Sequence, residues 1–199
     1  MVRVIQLCIA TGAYLWLVAC VSQPSLEEGF DAVSNEARLL EINHWQLRGR
    51  AVLQGAERTD SVGLQWQQVA DQSMLTLTGP VGWGRYSISV SSDYQVIELG
   101  QDFDKLPLQQ RQQIENQLAS LPLAQLSTWM KGVCRSCLPA DVLRDSRGRL
   151  LAFTEGPWQV FYDEYQAVGK LQLPRKMRFT GPGASGKLLL KEWQLGDGS

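Results

Sequence analysis

Between residues 45 and 99 the chain alternates apolar and polar side chains, and no other feature restricts its fold so strongly. Trp45, Leu47, Gly49, Ala51 and Leu53 alternate with Gln46, Arg48, Arg50 and Gln54. Val62, Leu64 and Trp66 alternate with Gln65 and Gln67, and Leu75 and Leu77 with Thr76 and Thr78. Tyr86, Ile88 and Val90 alternate with Arg85, Ser87 and Ser89, and a shorter run follows at 94–99. Successive strand side chains point to opposite faces, so each run predicts a strand with one face buried. Short connections at 54–60 and 70–72 make the runs an antiparallel meander. Strands resume at 149–155, 157–165, 170–180 and 187–195, with the Gly-Pro-Gly-Ala-Ser-Gly run at 181–186 as the last hairpin turn.

Helical spacing precedes and interrupts the strands. Residues 25–42 place Leu26, Phe30, Val33, Ala37 and Leu40 on one helical face, with Ser25 and Glu28 forming a capping box. A helix through Ile114, Leu118 and Leu121 is broken by Pro122, and a shorter one ends at Gly132, where glycine suits a left-handed cap. The chain reads as one mainly β domain of the α+β class.

The first nineteen residues are a different matter. Arg3 is followed by an apolar run of about fifteen residues, short of the about twenty that span a bilayer. The run closes on Leu17-Val18-Ala19 directly before Cys20. This is a secretory signal with a small residue at its cleavage site. The L-V-A-C ending resembles the bacterial lipobox, in which the cysteine is lipidated and becomes the mature N-terminus. Residue 21 is Val rather than the Asp that retains enterobacterial lipoproteins in the inner membrane, so the resemblance favours the outer membrane. The expected organisation is a signal peptide at 1–19, a lipidated tether at 20–24 and a single domain at 25–196.

Removing residues 1–19 takes the net charge from −1 to −2 with the loss of Arg3 and leaves 180 residues, enough for one sizeable core. No basic excess points to nucleic acid. Of four cysteines, Cys8 leaves with the signal and Cys20 carries lipid, so Cys134 and Cys137 remain. Their C-x-x-C spacing has three readings: a local disulfide in an oxidising periplasm, which the export signal favours; a redox pair, without the expected strand-then-helix context; and a zinc half-site, without a second pair.

Catalytic patterns are thin. The only histidine, His44, sits at the junction of helix and first strand and reads as structural. Asp102 with Asp104, and Asp163 with Glu164, read as solvated turn charges. No phosphate loop, H-E-x-x-H or G-x-S-x-G occurs. Nothing argues for an enzyme, a cofactor or a metal. Six tryptophans remain in the mature chain; Trp45 and Trp193 read as core, while pattern alone does not separate core from cavity lining for Trp66, Trp129 and Trp158.

One connection is unusual. Gly79-Pro80-Val81-Gly82-Trp83-Gly84 joins two strands with turn residues yet carries Val81 and Trp83 near its tip. Such groups either mark a binding or membrane surface or fold back on the core.

Together these motifs resemble the LolB family of outer-membrane lipoproteins. The pieces are the lipobox at 17–20, W-x-L-R-G-R-A at 45–51, L-Q-W-Q-Q at 64–68 and L-T-L-T-G-P-V-G at 75–82. L-P-L-A-Q-L-S-T-W-M-K-G at 121–132, P-W-Q-V-F-Y-D-E-Y at 157–165, L-P-R-K-M-R-F at 173–179 and K-E-W at 191–193 complete the order.

The resemblance implies a half-open antiparallel β-barrel with helices over its concave side, enclosing an apolar cavity. It implies a monomer that accepts acylated lipoproteins from a LolA-like periplasmic carrier and inserts them into the inner leaflet of the outer membrane, without ATP. The alternative is a structural or assembly lipoprotein that binds a protein partner. Residues expected to line the cavity are Leu64, Trp66, Leu75, Leu77, Leu126, Trp129 and Trp158. The family's insertion loop maps to Gly79, Pro80, Val81, Gly82 and Trp83. Here Val81 stands where the family has leucine, Gly79 where asparagine is common, and Trp83 adds apolar area of a kind that suits a membrane interface. The C-x-x-C pair is not a general family feature.

Overall fold

The computed structural model describes residues 31–55, 59–79, 84–90, 95–99 and 106–196. Cys20 and its tether, and Pro80, Val81, Gly82 and Trp83 of the unusual connection, lie outside them, as do Asp102 and Asp104.

Ten strands form one antiparallel sheet: β1 (His44–Gln54), β2 (Thr59–Val69), β3 (Gln72–Thr78), β4 (Arg85–Val90), β5 (Gln95–Leu99), β6 (Val142–Arg144), β7 (Leu150–Glu155), β8 (Trp158–Val168), β9 (Leu171–Gly181) and β10 (Ala184–Leu195). Their spatial order is β5-β4-β3-β2-β1-β10-β9-β8-β7-β6, so the first and last strands of the chain meet at its centre. β5 and β6 are the two edges, and the barrel is not closed. Among the described residues three α-helices accompany the sheet: α1 (Ala32–Glu41), α2 (Leu108–Ala119) and α3 (Leu123–Trp129). Leu118 and Leu121 pack with Leu126 and Trp129 in the same core cluster as the inward residues of β1–β4 and β7–β10, so α2 and α3 cover the concave face.

The alternation of β1 survives in detail. Trp45, Leu47, Ala51 and Leu53 are buried, while Gln46, Arg48, Arg50 and Gln54 are exposed. Each buried Leu or Val contributes about 1.5–3 kcal/mol relative to exposure, which sets the register: a slip by one residue would turn the whole row into water.

Three readings of local structure need correction. The first helix begins at Ala32, because Asp31 holds extended backbone and caps it, its carboxylate accepting from the Val33 N–H at 3.0 Å. Ser25 and Glu28 lie outside the described residues. Nor is the expected apolar face the buried one: Val33 is 77% exposed, whereas Leu39 is 1% exposed. The face turned inward runs through Ala32, Asn35, Glu36 and Leu39. Polar residues occupy it because Asn35 exchanges hydrogen bonds with the Gln172 backbone and Glu36 pairs with Arg144. A contact made through polar groups leaves no apolar period to read.

The second correction is the last hairpin. Strands run through Gly181 and restart at Ala184, so most of the supposed turn at 181–186 is strand. Glycine is there for close packing: a Cβ on Gly181 would run into the Trp158 ring, and one on Gly186 into the Phe179 ring. The third is Asp163 and Glu164, which sit within β8 and not in a turn. Asp163 meets Arg178 in a two-oxygen pair, and Glu164 pairs with Lys176. Strand β6, only three residues long, was below the reach of pattern.

Candidate functional site

Inward positions on β2 and β3 place Leu64, Trp66, Leu75 and Leu77 on the concave face, each no more than 6% exposed. Register brings Trp66 opposite Leu75 and Leu64 opposite Leu77. Leu126 and Trp129 descend from α3 onto the same interior, and half-buried Trp158 enters from the start of β8. All seven expected lining residues share one apolar interior. In this structure their side chains occupy it.

Aromatic rings organise that interior in two groups. Trp129 lies 6.0 Å from Phe153, 6.2 Å from Trp158 and 6.4 Å from Phe179. Across the sheet Trp45 stacks on Trp66 at 6.1 Å and meets Trp193 at 5.3 Å. Trp45 is core as expected; Trp193 is only half-buried.

Polar bonds fix α3 from its C-terminal end. The Trp129 indole N–H donates to Glu155 at 2.5 Å, and the Tyr162 hydroxyl donates to the Trp129 carbonyl at 2.7 Å. Burial raises the Tyr162 pKa well above its ordinary value, so it remains a donor. Lys131, 5% exposed, donates to the carbonyls of Leu39 and Ile42, both at 2.8 Å, and so caps the C-terminus of α1. Burial, with Arg135 nearby, pushes its amine down to about 8. Gly132 follows at φ +79°, with Pro174 packed against it.

Cys134 and Cys137 are joined in a disulfide directly after this turn. Their sulfurs lie near a Glu155 carboxylate oxygen, but disulfide sulfur is not the thiolate that binds a metal. His44 is exposed, and its ring contacts the Asn43 side chain. Lys131, Glu155 and Tyr162 escaped sequence reasoning. Each acts through a backbone carbonyl or an indole of a distant element, and no local spacing signals that.

A half-open cleft of about 240 Å³ separates α3 from the opposite side of the sheet. Its walls include Thr128 and Lys131 on one side and Gln68, Ser73 and Val90 on the other. Within the sheet, the buried Trp66 indole N–H has no hydrogen-bond partner among the described residues.

A family model described as outer membrane lipoprotein LolB matches residues 43–193, from the start of β1 into β10. The chain belongs to the LolB family. It is 26% identical over 189 residues to an outer-membrane lipoprotein LolB of Aeromonas hydrophila, covering 92% of this chain and 94% of the relative. A LolB of Cellvibrio japonicus is 27% identical over 187 residues, covering 90% and 92%. Among solved structures, a LolA superfamily protein from Nitrosomonas europaea is similar with a TM-score of 0.44 and 13% identity, covering 84% of this chain and 94% of its own. The LolB match contains the sheet, α2 and α3, whereas α1 precedes it and is attached through Lys131, Asn35 and Glu36.

Proposed function

We propose that this LolB-family chain is an outer-membrane lipoprotein that receives other lipoproteins from a LolA-like carrier and passes them to the inner leaflet of the outer membrane. The observation that carries the reading is an apolar interior on the concave face of an unclosed sheet, covered by two helices, in a member of this family.

The physical task is clear. At about 0.8 kcal/mol per CH₂, exposing one long acyl chain to water costs on the order of 10 kcal/mol. A receptor that offers apolar surface throughout the handover removes that barrier, and a bilayer that offers more draws the chain onward. Such transfer runs downhill and needs no ATP and no catalytic step. Side chains pack the interior, so an acyl chain enters as α2 and α3 lift from the sheet. Leu64, Trp66, Leu75, Leu77, Leu126, Trp129 and Trp158 then line its path. Cys20, lipidated, holds the domain at the membrane, and Val81 with Trp83 engages the bilayer at release. The receptor acts as a monomer.

The test is transfer of an acylated lipoprotein from its carrier to this protein and on to vesicles. A Val81→Glu, Trp83→Glu double variant should fold and accept cargo but insert little of it. Normal insertion by that variant removes the loop from the reading. Failure of the parent protein to bind any acyl chain removes the reading itself and leaves a structural lipoprotein that binds a protein partner.

A further inference from the structure

The outer face of the sheet carries an amphipathic row. Strand register sets Leu143, Ala152, Phe161, Arg178, Lys187 and Val52 side by side across six strands, from β6 through β7, β8, β9 and β10 to β1. All six point away from the core. Leu143 is 60% exposed and Val52 38%; Arg178 and Lys187 are exposed, and Ala152 and Phe161 half-buried. Arg178 lies over the Phe161 ring, 4.9 Å from its centre.

A second row lies beside the first. Half-buried Leu189 sits between Arg50 on β1 and Lys176 on β9. Lys187 and Lys191 flank it two residues away on its own strand, both exposed. Asp163 and Glu164 neutralise Arg178 and Lys176. Arg50, Lys187 and Lys191 have no carboxylate partner among the described residues. Exposed Glu192 stands opposite Arg48 on the same face, which leaves Arg50, Lys187 and Lys191 as its excess cations in a chain whose net charge is only −1.

We propose that the outer face of β9, β10 and β1 docks on anionic phospholipid headgroups. Cations alone would serve an acidic protein equally well. Here Val52, Leu189 and Phe161 are interleaved with them, the arrangement that suits phosphates above and acyl chains just beneath. The inference rests on the reading above for the presence of a bilayer. Only ten residues separate Cys20 from Asp31, the first described residue. Their reach of at most about 40 Å keeps the domain close to the surface that holds its anchor. The orientation also serves the insertion loop. Thr78 is opposite Gly63, which is opposite Arg50, so the connection after β3 begins level with these cations.

The experiment uses the mature chain with Cys20→Ser, which removes the anchor, and flotation with phosphatidylcholine vesicles with or without phosphatidylglycerol. Circular dichroism confirms folding. Binding should be about tenfold or more stronger on the anionic vesicles and fall with salt. An Arg50→Gln, Lys187→Gln, Lys191→Gln variant should lose most of that gain. An Arg38→Gln, Lys170→Gln control, altered on α1 and in the β8–β9 turn, should keep it. Equal binding to both vesicles, or a triple variant that floats like the parent, overturns the proposal. So does a triple variant that floats normally but loses an acidic protein partner. Cargo transfer by the acylated protein is measured separately, so normal transfer with no headgroup preference sinks this inference and leaves the receptor reading intact.

Discussion

Trp129 and Trp66 are equally buried, at 0% and 1% exposure, yet among the described residues only Trp129 has a partner for its indole N–H. The difference extends to the halves of the sheet around them. On the side of β6–β10, α3 is held by Glu155, Tyr162 and three aromatic rings around Trp129, and a disulfide follows it within eight residues. On the side of β1–β5 a 240 Å³ cleft lies between α3 and the sheet, and Trp66 keeps an unsatisfied donor. A buried unpaired donor costs about 1–3 kcal/mol, a cost that Trp66 on β2 and Trp193 on β10 carry among the described residues and Trp129 avoids. Secure attachment on one side and spare capacity on the other is what a helical cover needs if it is to open without coming off.

The comparison can be broken most forcefully at Trp129. Trp129→Ala should cost about 3–5 kcal/mol in denaturant unfolding, since it empties the centre of the aromatic group and strands Glu155. A loss below about 1 kcal/mol would mean that this side is no better anchored than the other. Next is the disulfide. Cys134→Ser with Cys137→Ser closes no loop in the unfolded chain and should cost about 2 kcal/mol, read in the same melts.

A smaller effect is expected at Lys131, where the sign is specific. Its amine is pushed down to about 8 from 10.5 by burial and Arg135, so above pH 8 the unfolded chain holds a proton the folded chain gives up. Stability should therefore rise between pH 8 and 10, by on the order of 1 kcal/mol, because the Leu39 and Ile42 carbonyls still favour the ammonium. Above pH 10 the trend reverses, since buried Tyr162 and Tyr165 resist ionisation that the unfolded chain allows. Lys131→Met should flatten the rise in thermal melts across that window. The smallest change is Trp66→Phe, which removes an unpartnered donor and little else; it should shift stability by less than about 1 kcal/mol in either direction. A large loss there would reveal a partner and erase the contrast.

Legibility in the sequence followed the kind of contact. Runs such as Trp45–Leu53 were readable because each strand buries one face against apolar neighbours, and that writes a period of two into the chain. The family was readable from the order of its motifs, and the seven interior residues from inward positions and the same resemblance. The face of α1 was not, because Asn35 and Glu36 attach it through polar groups. The turn at 181–186 misled for a related reason: glycines usually signal a bend, and here Gly181 and Gly186 make room for Trp158 and Phe179. Lys131 was invisible as a cap, since its acceptors lie about ninety residues away.

By itself the sequence determined that this is a mainly β domain with one buried sheet face, two helices broken at Pro122, and LolB motifs in their order. These follow from local periodicity, local turn chemistry and short contiguous patterns. Only the tertiary structure decided that β1 and β10 meet at the centre of the sheet, that α3 is tied to one side and faces a cleft on the other, and that cations from three strands share an outer face. Each depends on which distant residues face one another, and a side chain's sequence neighbours do not record that.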